Sequence, residues 1–587
     1  MTGPRWAAAL SLAALAACAQ LNFLKAPAVP RPRGDSKLET GPGPPIGQLP
    51  AHPDPARDWG GYNAGYEGTR FSPLDEITPA NAGSLRPVCR FPIGERTPME
   101  SGPVVVDGIA FVTTASSTYA FDAATCALRW KYAYHYSPKP PFDLKVNRGV
   151  AYLEGRVFRG TNDGRVLALD ARSGAELWNV VAADPTIGET FPAAPVAWNG
   201  MVFIGNAGGD NFGVVGRMMA FDARTGGRLW STPLVASSGA AARTWPPEVE
   251  QFPRAGGATW TSYAVDTSAG LVYVPTGNAA PDFLPGVREG ANLYTYAVVA
   301  LDARSGAVRR AYQLLDGDFH DWDVAAAPVL VRSGERTLIV EAGKDGYVYG
   351  IDARSGGFRF KTPVTTIANA TAPLTPEGTR FCPGVNGGTE WNGPAVLAAA
   401  GLAFVPATDW CTTVKIEAAP KVRGKTGIPW TGSAELRHPF GTPDSAWRGW
   451  LTAVRLDDGA VAWRYASPTP LVAGVTVTQG GVVFTGDLAG AFLALDARDG
   501  RVLYRFDTGQ PIGGGVATYA VGGRQYVAVA GGLHAPMTWR LESSPATVTV
   551  FAAEGGAPSH RGAGPTGTAA AGARRYLHGI QRLGGRL

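Results

Sequence analysis

The sequence predicts an all-β chain folded as an eight-bladed β-propeller, and three observations lead there. Glycine occurs 77 times in 587 residues, and short strand-like runs bounded by Gly, Asp and Asn take the place of helical periodicity. One motif recurs as AFDAATCALRW (120–130), ALDARSGAELW (168–178), AFDARTGGRLW (220–230), ALDARSGAVRR (300–310), GIDARSGGFRF (350–360), AVRLDDGAVAW (453–463) and ALDARDGRVLY (494–504). Most copies follow one another at 41–52 residues, the length of a four-stranded blade.

Each copy has the same physical content. An apolar A-x-D step ends one strand, x-x-G supplies a turn with a residue at positive φ, and a large residue four positions on begins the next strand. The interval from 350 to 453 is double length and holds a further strand pair, PAVLAAAGLAFVPATDW, which reads as the eighth blade. The 80-residue interval between the third and fourth copies has room for a long loop. Radial stacking leaves few open strand edges once the two chain ends pair. The propeller is expected over residues 58–553.

The flanks read differently. Arg5 precedes WAAALSLAALAAC, an apolar run too short to span a bilayer. Leu15-Ala16-Ala17-Cys18 resembles a bacterial lipobox, so residues 1–18 read as a lipoprotein-type signal peptide with Cys18 lipidated. An ordinary secretory signal is the other reading, and both imply export. Lipidation implies anchoring on the periplasmic side of a membrane, the outer one more readily than the inner. Residues 19–57 are rich in Pro and Gly and read as a tether. Residues 554–587 hold too few large apolar side chains to bury a core and read as a disordered basic tail.

The net charge of +5 sits in that tail: Arg561, Arg574, Arg575, Arg582 and Arg586 account for all of it. The rest is formally neutral, which argues against a nucleic-acid footprint. Besides Cys18 there are Cys89, Cys126, Cys382 and Cys411, an even set in an oxidising compartment. No CxxC and no CxxCH occurs, so neither a zinc knuckle nor a c-type haem of the chain's own is expected.

Several short segments then occur in a telling order: DWGGYNAGYEGTRFSPLDEI, VNRGVAY, GGATWTSYAVD, VPTGNAAP, FHDWD, AGKDGYVYGID, CPGVNGGTEWNGPA and GGVVFTGDLAGAFLALDARDG. In these the chain resembles the quinoprotein alcohol dehydrogenases. Those are eight-bladed propellers that hold pyrroloquinoline quinone (PQQ) and a metal ion on the central axis. The resemblance implies a PQQ-dependent dehydrogenase of alcohols or sugars that passes electrons to an external cytochrome c or quinone. A reading from another class is a non-catalytic outer-membrane lipoprotein propeller serving as an assembly scaffold. A scaffold has no need to keep Asp323, Asn278, Trp260, Arg148 and Lys344 together.

Residue by residue, HDWD resembles the family's HDxWD, one position shorter, and its last aspartate makes Asp323 the catalytic base. Asp321 reads as a solvated turn acid. Ala325 stands where lanthanide-preferring members carry an extra aspartate, so the resemblance implies calcium. Asn278 matches a metal ligand. NAGGDNFGVVG stands where the family has a glutamate ligand, which puts Asn211 at that place with Asp210 beside it. Trp260 matches the aromatic floor under PQQ, and Arg148 and Lys344 match its cationic contacts. Glu100 and Asn392 fall at further cofactor-contact positions. The family's adjacent cysteine pair before VNRG is replaced by Phe142 and Asp143, with Phe142 expected as an apolar lid. Cys382–Cys411 and Cys89–Cys126 are the expected disulfides, each closing a blade-sized loop. The first matches a disulfide of the family.

Overall fold

The computed structural model describes residues 34–555 except 436, 537 and 542–544. Within them, eight antiparallel four-stranded units stand around one axis. Blade 1 is built from Val104–Val106, Ile109–Thr113, Ser117–Asp122 and Leu128–His135. Blades 2 to 7 repeat that meander, ending with Val502–Asp507 in blade 7. Blade 8 takes Val516–Val521, Arg524–Gly531 and Thr547–Ala553 from the C-terminal side and Leu85–Pro92 from the N-terminal side. Leu85 pairs with Ala553 and Pro92 with Thr547, so this antiparallel ladder closes the ring. First strands of neighbouring blades touch, which puts them around the axis.

The repeated motif works as a docking device. The aspartate is an Asx-turn acceptor: Asp170 Oδ1 takes the N–H groups of Arg172 and Ser173, and Asp302 Oδ1 those of Arg304 and Ser305. The large residue reaches into the next blade's turn. Trp130 Nε1 donates to Ala171 O (3.1 Å), Trp178 to Ala223 O (3.1 Å), Trp230 to Ala303 O (2.9 Å) and Trp463 to Ala497 O (3.0 Å). Tyr312 does the same to Ala353 O (2.7 Å), and Tyr519 of blade 8 to Ala123 O of blade 1 (2.6 Å). The motif glycine is required twice over. Gly174 has φ +74°, and a Cβ there would lie 2.7 Å from the Trp130 ring. In the first copy Cys126 holds the turn at φ +61° and is bonded to Cys89 of the closing strand, Cα–Cα 5.9 Å. That disulfide staples blade 8 to blade 1.

Two expectations about the chain's organisation are corrected. Part of the tether is folded: Asp35–Thr40 pairs with Leu128–His135 as a fifth strand of blade 1, and Ile46 and Leu49 are buried against that blade. The open edge of an outer strand attracted it. The pair within 394–410 is no separate blade either. Ala395–Leu397 and Leu402–Asp409 are the first two strands of blade 6, whose other two are Arg448–Arg455 and Val461–Ser467. The double-length interval is explained by a small three-stranded sheet from Thr379–Phe381, Thr412–Val414 and Thr442–Pro443. Cys382 and Cys411, Cα–Cα 4.5 Å, are bonded beside it. The eighth blade is the one that closes the ring. Cys18 and most of the basic tail lie outside the described residues. Among the described residues no helix is long and apolar enough to cross a membrane.

Candidate active site

A cavity of about 660 Å³ collects nearly all of the predicted axial residues: Glu100, Arg148, Asp210, Asn211, Trp260, Asn278, Asp323 and Lys344 line it. They come from the connections of several blades, and a cavity of this size suits a small-molecule ligand. The loop carrying Asp321 and Asp323 lies between Val308–Gln313 and Val329–Ser333, and Asp318 organises it. Asp318 accepts the backbone N–H groups of His320 (2.9 Å) and Trp322 (3.0 Å) and bonds His320 Nδ1 (2.8 Å). The His320 ring stacks on Trp322 at 4.2 Å, and Trp322 Nε1 donates to Pro383 O. Those contacts answer why an indole stands between two acids: it wedges the turn so that both carboxylates face inward.

Asp323 Oδ1 accepts the Asn278 backbone N–H (2.8 Å), and Oδ2 accepts from Lys344 Nζ (3.2 Å). Gly277 is needed here, because a Cβ would come within 2.6 Å of Asp323 Oδ1. Lys344 also bonds Asp321 Oδ2 (3.2 Å). Burial alone would lower the Lys344 ammonium, but Asp321 and Asp323 outweigh it and hold its pKa well above the ordinary value.

Asp321 departs from the solvated role expected of it. It is buried, at φ +61°, and groups with Asp210 and Asp282, one carboxyl oxygen of each lying within 4.8 Å of the others. Asp282, absent from the sequence prediction, stands four residues past Asn278, whose Nδ2 donates to its Oδ1 (2.8 Å). Its Oδ2 is fully buried with no partner. Burial and the neighbouring carboxylates push Asp282 and Asp321 well above the usual range, and Asp210 up to about 6. Hard cations are held by such oxygens. Asn211 lines the same cavity and donates Nδ2 to Gly188 O (3.2 Å).

In the same cavity the Arg148 guanidinium lies 4.6 Å over Trp260, pairs with Glu100 at 2.5 Å and donates to Trp260 O (2.8 Å). Asn392 is corrected. Its Oδ1 accepts from Tyr62 (2.9 Å) and Arg70 (3.1 Å), and its Nδ2 donates to Val472 O and Gly513 O. It knits blades together, and it is Glu390 and Trp391 of the same segment that line the cavity. Phe142 lines the cavity half-buried, while Asp143 pins its own turn, accepting from Tyr136 Oη (2.6 Å) and Asn162 Nδ2 (2.7 Å).

Residues 59–371 match the family profile described as glucose/ethanol/alcohol dehydrogenase, β-propeller domain. The dehydrogenase subunit of the quinone-linked alcohol dehydrogenase of Acetobacter aceti is 32% identical over 542 residues, 81% of this chain and 71% of that one. This chain belongs to the PQQ-dependent quinoprotein alcohol dehydrogenase family. It is a PQQ-dependent dehydrogenase by that membership. A lanthanide-dependent methanol dehydrogenase of Methylacidiphilum fumariolicum is 30% identical over 525 residues, 81% of this chain and 84% of that one. Among solved structures, the quinohemoprotein alcohol dehydrogenase ADHIIG of Pseudomonas putida HK5 superposes with a TM-score of 0.76 at 26% identity, covering 89% of this chain and 85% of that one. Residues 448–570 also match a profile described as outer membrane protein assembly factor BamB. The cavity fits the family's quinone: an indole wall, buried cations and an acid cluster with an orphaned oxygen stand together.

Proposed function

We propose that this dehydrogenase oxidises an alcohol or a sugar, with Asp323 as the base that takes the substrate hydroxyl proton. The observation that supports this is the placing of the Asp323 carboxylate. Two hydrogen bonds orient it at the cavity wall, beside the acid cluster. When bound, PQQ would supply the acceptor for the hydride that leaves the substrate carbon. Trp260 would offer a planar wall for it, and Arg148, Glu100 and Lys344 would be the groups that hold its polar edge. Asp210, Asp282, Asp321 and the Asn278 amide are the groups proposed to hold the metal ion. Calcium is the ion inferred from Ala325. Three carboxylates in one shell also suit an ion of higher charge, and lanthanide dependence is named for one relative. Electrons leave to an external cytochrome c or quinone, because the sequence offers no haem attachment motif. Work on the periplasmic face, held by a lipid at Cys18, completes the proposal.

The test is Asp323→Asn in protein reconstituted with PQQ and calcium. It keeps shape and hydrogen bonding but removes the proton acceptor. Turnover of an artificial dye should fall by roughly 10²–10⁴-fold with PQQ still bound. Near wild-type turnover would remove Asp323 from the role. The profile match over 448–570 favours one second reading, the assembly scaffold. It takes over if the wild type binds no PQQ with any metal.

A further inference from the structure

Among the described residues, Glu390 is the one buried cavity-lining acid that the proposed chemistry leaves without a role. Its segment is held on both sides: Thr389 N–H donates to Gly343 O (3.0 Å) and its Oγ1 to Pro406 O (2.9 Å), while Trp391 Nε1 donates to Gly513 O (2.8 Å). The side chain between these anchors is 7% exposed, and its Oε1 is buried without a hydrogen-bond partner. The charged groups that act on it are Lys344, Asp323, Glu100 and Arg148. All four are already engaged, Arg148 with Glu100 at 2.5 Å and Lys344 with Asp321 and Asp323 at 3.2 Å each. His534 lines the same cavity. Among the described residues, Glu390 therefore has no counter-ion of its own.

We propose that Glu390 is a cofactor-binding residue that carries its proton and donates a hydrogen bond from its carboxylic acid to an oxygen of the bound quinone. The proposal rests on the PQQ reading and deepens it. PQQ carries carboxylate and quinone oxygens, all of them hydrogen-bond acceptors. An ionised carboxylate would repel them, whereas a carboxylic acid kept neutral in a poorly solvated site donates to them. The direction of titration agrees. Burial raises the Glu390 pKa, Lys344 opposes it, Asp323 and Glu100 add to it, and it stands at about 8. A raised carboxyl is protonated below that value, so PQQ affinity should be level below pH about 8 and fall by about tenfold per unit above it.

The experiment is equilibrium binding of PQQ at saturating calcium, read by the absorbance of bound cofactor, from about pH 7 to about pH 9.5. That range lies above the titration of Asp210. Wild type should show the fall. Glu390→Gln, whose amide still donates, should bind with wild-type affinity at pH 7 and lose the fall, and Glu390→Ala should bind about tenfold more weakly at pH 7. A level wild-type profile, or a fall that survives in Glu390→Gln, overturns the proposal. Absence of PQQ binding by the wild type at every pH would instead overturn the PQQ reading beneath it.

Discussion

Asp282 has one carboxyl oxygen bonded to Asn278 and another buried with no protein partner, an arrangement that costs free energy unless a cation completes it. Asp282→Asn should therefore weaken calcium binding by roughly 10–100-fold, the range seen when a metal site loses a supporting carboxylate. In metal-free protein the same change removes a carboxyl whose pKa the fold raises well above its unfolded value. A raised carboxyl destabilises the fold as pH climbs above the unfolded value, so metal-free Asp282→Asn should melt no lower than wild type at pH 7. Titration calorimetry and thermal melts check the two halves. Unchanged calcium affinity would take Asp282 out of the metal shell. Asp323, Asn278, Trp260, Arg148 and Lys344 were legible in the sequence because each stands in a short motif of fixed order. Asp282 and Asp321 were not, because only the wedge of Trp322 and the Asn278–Asp282 bond turn them into one cluster. Asn392 and Glu390 were exchanged for a related reason: two positions apart in TEWNG, they point to different neighbours, and spacing does not say which faces the axis.

The blade motif is more than a strand-turn-strand unit, since its last residue belongs energetically to the following blade. Trp230, 9% exposed, packs on Phe203 at 6.1 Å and donates to Ala303 O. Trp230→Phe keeps most of the apolar contact and loses the hydrogen bond, so it should cost about 1–3 kcal/mol. Trp230→Ala opens a cavity between blades 3 and 4 and should cost about 3–5 kcal/mol. Chemical denaturation measures both: no loss in Trp230→Phe would mean that the hydrogen bond contributes nothing, and equal losses would mean that the apolar contact adds nothing beyond it. The strand-turn-strand content was readable from A-x-D and x-x-G. The docking was not, because it joins tryptophans to residues 34 to 73 positions on through backbone carbonyls that carry no sequence signature.

At the level of the molecule, the ring has one seam, and three devices close it. Leu85–Pro92 completes blade 8, Tyr519 docks on Ala123, and Cys89–Cys126 crosses from the closing strand to the turn between the third and fourth strands of blade 1. The disulfide spans a sequence separation of 37, for which the chain-entropy model gives roughly 3–4 kcal/mol. The double substitution Cys89→Ser with Cys126→Ser should lower the unfolding temperature and leave PQQ binding intact, since neither residue lines the cavity. Calorimetry alongside cofactor absorbance tests this. Loss of PQQ in the folded variant would show that the seam and the site are coupled.

By itself the sequence determined the propeller, its repeat unit, the family and most of the axial residues. These are local matters: turns demand Gly and Asp at set offsets, and a planar, anionic cofactor demands an indole and cations. Only the tertiary structure decided that residues 35–40 extend blade 1 and that the ring-closing strands make the eighth blade. It also brought a discounted aspartate and an unnoticed one together with Asp210 in one carboxylate cluster. Those outcomes depend on which strand edge lies open and which carboxylates meet at the axis, and residues distant in sequence meet there only after the ring has closed.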